Sequence, residues 1–107
     1  MTVLYNDAVH SIYPVGLNVV SEDTSFVAGD SPKVLDVNDA LKKNGNRGYI
    51  ICDGSGSILV KYSHADTNYL TEFTLKSGET FDFTGCEVDT LRIAHSGTDS
   101  AYRVHLW

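Results

Sequence analysis

Residues 48–107 read GYIICDGSGSILVKYSHADTNYLTEFTLKSGETFDFTGCEVDTLRIAHSGTDSAYRVHLW. Short apolar runs alternate here with turn residues at intervals of roughly 8 to 12 residues, the spacing of strands in a sandwich or barrel. In Ser57-Ile58-Leu59-Val60-Lys61-Tyr62-Ser63, Ile58, Val60 and Tyr62 share one face, and Lys61 and the serines share the other. The next run places Tyr69, Thr71, Phe73 and Leu75 together, with Glu72 and Thr74 opposite. A slip of one residue would turn an entire apolar set toward water, so the pairing has to match these faces. Tyr62 opposite Tyr69, Val60 opposite Thr71 and Ile58 opposite Phe73 meets that condition.

The same reasoning predicts two further hairpins. A Lys76-Ser77-Gly78 loop sets Leu75 against Glu79 and Phe73 against Phe81, with Gly78 at the positive-φ position such loops require. A crossing of that strand to a second sheet is the alternative. The last hairpin joins Val88–His95 to Ala101–Trp107, with Ile93 opposite Tyr102 and Leu91 opposite Val104. Leu91, Ile93, Tyr102, Val104 and Leu106 then face inward. Arg92, Arg103, His105 and Trp107 gather on the outward face and form the candidate partner-binding surface.

The pattern is looser before Gly48. Tyr5–Val9, Ser11–Val15 and Leu17–Val20 read as short strands, with Pro14 confining the second to an edge. Lys33–Asp36 follows a turn at Gly29–Pro32. One or two helical turns are expected over Asn38–Asn44, capped by Asp36 or Asn38 and stopped by a left-handed Gly45, with Leu41 turned inward. The whole is expected to be one all-β domain over 1–107, an antiparallel sandwich or jelly roll with at most one short helix. Residues 48–107 supply its core hairpins; residues 1–47 either complete the sandwich or form an arm.

Composition narrows the functional classes. The 107 residues carry 8 Lys+Arg against 14 Asp+Glu, a net charge of −6. That balance argues against nucleic-acid binding, which needs cations to neutralise phosphates, and against attachment to an anionic membrane surface. The N-terminus lacks the basic and apolar regions of a secretory signal, and no apolar run approaches the ~20 residues that span a bilayer. Two cysteines, Cys52 and Cys86, are too few for a zinc site or a disulfide framework and read as buried free thiols, a Cys52–Cys86 bridge being the alternative.

No catalytic or cofactor motif is apparent, so a non-enzyme without cofactor or metal is expected. Asp53-Gly54-Ser55-Gly56-Ser57 spaces oxygens as a calcium loop does, but Ile58 and His64 stand where glycine and a bidentate glutamate belong, and a tight turn fits better. His10, His64, His95 and His105 show no ligand spacing, and no G-x-S-x-G elbow occurs. Tyr62, Tyr69 and Tyr102 are expected toward the core. A sugar-stacking platform needs several exposed aromatics, and only Trp107 is assigned outward.

The strand leaving the Asp53-Gly54 turn, the TLKSGETFDF segment (residues 74–83) and the closing LRIAHSGTDSAYRV segment (residues 91–104) resemble small β-sandwich structural proteins of tailed-bacteriophage virions. The resemblance covers residues 48–107. It implies a capsid decoration or cement protein that acts as a homo-oligomer, a trimer among the options. Its partners would be the major capsid protein or other virion proteins, in the virion and, during assembly, in the host cytoplasm. The alternatives are a head–tail connector or tail-fibre adaptor, and a carbohydrate-binding module.

Overall fold

The computed structural model describes residues 17–27, 29–65, 68–96 and 99–107. Among these residues, eight strands and one helix follow in the order β1 (Val19–Asp23), β2 (Lys33–Asp36), α1 (Val37–Leu41), β3 (Gly48–Cys52), β4 (Ser57–Ser63), β5 (Phe73–Leu75), β6 (Thr80–Asp82), β7 (Thr90–Ser96) and β8 (Tyr102–Leu106). The strands build two four-stranded sheets, β1-β8-β3-β6 and β2-β7-β4-β5. The antiparallel pairs are nested: β1 with β8, β2 with β7, β3 with β6, β4 with β5. Pairing of β3 with β8 and of β4 with β7 then joins the nested pairs into sheets. One long hairpin has been rolled over itself, which is the jelly-roll topology.

The inner faces of both sheets meet in a single core. Ile50, Ile58, Val60, Leu91, Ile93, Tyr102, Val104 and Leu106 are fully buried there, at alternate positions along their strands. Phe26 and Phe83 enter the same core from connecting segments. Tyr102 buries its ring beneath Phe26, with centroids 5.5 Å apart and edge to face, and its hydroxyl lies 3.1 Å from Ser21 Oγ. A buried phenol requires such a partner for its polar end.

The segment from Val19 to Leu41 is integral to the sandwich: it provides β1, β2 and α1, and places Phe26, Val37 and Leu41 in the core. The expected strands over 5–9 and 11–15 lie outside the described residues. α1 is shorter than the expected Asn38–Asn44. Asp36 caps it by accepting from Asp39 N–H at 3.1 Å, while Val37 and Leu41, four apart, form the buried face. The left-handed residue that ends it is Lys42 (φ 64°), not Gly45. Gly45 instead exchanges two backbone hydrogen bonds with Val88 and lies close under Val37.

Facing was predicted better than pairing. β5 joins β4 but β6 joins β3, so the chain crosses between sheets at Lys76–Glu79 instead of closing a hairpin. Gly78 does take positive φ (82°) at that crossing. Phe73 and Phe81 still meet, with ring centroids 4.7 Å apart, now across the core. Likewise β7 and β8 belong to opposite sheets, so Ile93–Tyr102 and Leu91–Val104 are not ladder partners, though all four point inward. In the β4–β5 hairpin the register is Ile58 with Leu75 and Val60 with Phe73, two residues from the expected one. Ser63 bridges Tyr69, so the Tyr69–Phe73 side holds one residue more than its partner, a bulge. Past it, Tyr69 stacks under the outward Lys61 ammonium at 4.8 Å instead of entering the core.

Cys52 and Cys86 are free thiols. Cys52 Sγ donates to Gly56 O at 3.2 Å, and burial raises its pKa. The Tyr62 hydroxyl donates to Cys86 Sγ at 3.4 Å; this bond, then burial, pushes the phenol up to about 12. Because the folded value lies above the ordinary one near 10, the neutral phenol favours the fold fully below pH 10, and this contribution is lost between pH 10 and 12. A spectrophotometric titration should therefore show a tyrosine step near pH 12, and Cys86→Ala should lower that step.

Candidate functional site

The outer face of the β1-β8-β3-β6 sheet is set by elementary strand geometry. Because Tyr102, Val104 and Leu106 point into the core, Arg103, His105 and Trp107 must point out. Register then aligns them across strands. Val20, His105, Tyr49 and Asp82 form one row across all four strands. Glu22, Arg103, Ile51 and Thr80 form the next. At the other end, Trp107 exchanges backbone hydrogen bonds of 3.0 and 3.1 Å with Arg47, which extends the grid by one row.

The centre of this face is aromatic. Tyr49 packs edge-on against His105 with centroids 6.2 Å apart, and His105 lies 4.9 Å from the Trp107 ring. At the β1 side, Val20, the ladder partner of His105, is 57% exposed. An antiparallel sheet facing water ordinarily presents polar residues on its outer side. The opposite outer face is polar at its centre, where Arg92 and Lys61 are ladder partners, with Glu72 3.6 Å from Arg92 and Tyr69 beneath Lys61, but Val34 on the other side of Arg92 is exposed at 58%.

The four residues expected to form one partner surface are thus divided. Arg103, His105 and Trp107 share the aromatic face, whereas Arg92 lies on the far side of the sandwich. The division follows from β7 and β8 belonging to different sheets. Arg103 is engaged with Asp53 at 3.3 Å. Tyr49 is the residue that sequence reasoning missed. Tyr49-Ile50-Ile51-Cys52 is apolar on both faces of the strand, so alternation alone does not say which face is outer.

Beside the aromatic row lies an open cleft of about 530 Å³, lined by Arg47, Gly48, Tyr49, Ile51, Thr80, Asp82, Thr84 and Trp107. Its size falls within the roughly 300–1,000 Å³ range of small-molecule sites. The Asp82 carboxylate accepts from Thr84 N–H at 2.8 Å, and that bond lowers its pKa, so the group is ionised at neutral pH and held in orientation. His105 Nε2 and Trp107 Nε1 are buried without a hydrogen-bond partner among the described residues. Unpaired buried polar atoms cost on the order of 1–3 kcal/mol each.

Among the described residues no three His, Cys, Asp or Glu side chains cluster to hold a metal. His64 contacts Glu87 O through Nδ1 at 2.9 Å, and His95 packs edge-on against Phe26. The oxygens of the 53–57 segment are used structurally: Asp99 accepts from both the N–H and the hydroxyl of Ser55 at 3.0 Å. No helix among the described residues is long and apolar enough to cross a membrane. Compared with known proteins, the chain matches no family model, no curated protein and no solved structure, so its role is inferred from this surface.

Proposed function

We propose that the chain is an adhesive virion protein of the capsid-decoration type, a homo-oligomer that binds the assembled head through the β1 side of its aromatic face. The observation that carries this reading is the exposed apolar side chain of Val20, paired with His105 in the row that also holds Tyr49 on an outer sheet surface. An exposed apolar side chain adjoining an aromatic row supports a contact surface, since it is contiguous apolar surface that marks interaction sites. The jelly roll is compatible, being an architecture used by viral capsid and lectin domains, although a fold by itself does not dictate a role.

The mechanism is mass action. A protein that binds only the assembled shell stabilises it by RT ln(1 + [L]/Kd), about 2.7 kcal/mol at a hundredfold excess over Kd. Bridging neighbouring capsid subunits therefore requires shape and apolar area, and no chemistry. Mixing the purified protein with undecorated heads of the phage that encodes it should give saturable, stoichiometric binding and a higher temperature of genome release. Val20→Lys should weaken binding by about tenfold or more while leaving the melting temperature of the free protein unchanged, because a charge would be desolvated at the contact. Absence of binding to heads removes the decoration reading; labelling at the portal vertex or tail would assign the protein to the connector or adaptor class instead.

A further inference from the structure

We infer that the cleft bounded by Tyr49, Asp82 and Trp107 is a carbohydrate site that takes one pyranose ring. This goes beyond the decoration reading and does not depend on it, since it uses the β3–β6 half of the face and not the β1 edge.

A pyranose has two unlike surfaces, and the cleft has both complements. The C–H groups on one side of a sugar ring carry slight positive charge and pack against an aromatic face, whose quadrupole is negative there. Tyr49, 37% exposed, and Trp107 supply aromatic surface at the cleft wall. The hydroxyls around the rim both donate and accept. Arg47 can only donate, the ionised Asp82 can only accept, and the Thr80 hydroxyl does either.

Charge selects the class. One guanidinium and one carboxylate line the same cleft, which gives no net attraction for a phosphate or an ammonium group and suits a neutral polyhydroxy ring. Asp82 is already oriented by Thr84 N–H at 2.8 Å, so little ordering is needed when a hydroxyl binds. The cleft is open, matching a single ring or chain end at a surface.

The test uses the full-length protein on a glycan array of hexoses, N-acetylhexosamines and their oligomers. Saturation-transfer NMR with D-glucose, D-galactose, D-mannose and N-acetyl-D-glucosamine accompanies it. At least one of these glycans should bind. Tyr49→Ala should reduce its affinity by about tenfold or more. Val20→Lys should leave glycan binding intact. Asp82→Asn, an exposed substitution that keeps an acceptor for Thr84 N–H, should also weaken the sugar and provides the reading should the Tyr49 variant not fold. No glycan signal in either assay overturns the site, as does wild-type affinity in a folded Tyr49→Ala or, where that variant fails to fold, in Asp82→Asn. Because no capsid enters these measurements, their failure is separate from failure of the decoration reading.

Discussion

Gly48→Ala is expected to cost more than about 4 kcal/mol, a large share of the roughly 5–15 kcal/mol that holds a domain together. Gly48 opens β3 with φ at 125°, a region that side chains with a Cβ avoid. It also lies directly against the central strand β8. A Cβ at this position would stand 2.0 Å from the His105 carbonyl oxygen and 2.8 Å from Leu106 Cα. Those are backbone atoms and cannot rotate away as a side-chain tip could. The β3–β8 ladder, which pairs Gly48 with Leu106, would have to open at the edge of the candidate site. Urea unfolding followed by circular dichroism should show a collapse of the midpoint, or no folded baseline. A loss below about 1 kcal/mol would mean that β3 and β8 do not approach as described.

Phe26→Ala should destabilise by about 3–5 kcal/mol, the usual loss for a buried aromatic that leaves a cavity. Phe26 is fully buried between Tyr102 and His95, with edge-to-face centroid distances of 5.5 and 5.9 Å, and its carbonyl accepts from Ser100 N–H at 2.8 Å. It therefore ties the segment before Gly48 to the last connection of the chain. Val27→Ala, one residue later and exposed, should change stability by no more than about 0.5 kcal/mol. Equal, small effects at both positions would detach this segment from the sandwich and restore the idea of an arm.

The candidate site was only partly legible in the sequence. Trp107, His105 and Arg103 are outward because Tyr102, Val104 and Leu106 are inward, an inference that requires one strand only. Tyr49 and Asp82 join them through ladder pairings across more than twenty residues of chain, as the register of β8 with β3 and of β3 with β6 shows. Arg92 has the same outward parity as Arg103, yet its strand belongs to the other sheet, so the two guanidinium groups face away from each other across the sandwich.

By itself, the sequence determined the all-β class, the inward and outward sets of β4, β7 and β8, the positive φ at Gly78 and the burial of Leu41; Tyr69 and Thr71, expected inward, lie outside the core. Each feature so determined depends on side chains a few residues apart, where the two-residue period of a strand or the geometry of one turn decides the outcome. Only the tertiary structure decided which strands are neighbours. Inward residues of both sheets face a common core, so Phe73 and Phe81 satisfy the same pattern whether they lie across a ladder or across the sandwich. That choice is made by closing the nested pairs of the roll, a non-local condition that leaves no mark on alternation, and it alone assembled the aromatic face and its cleft.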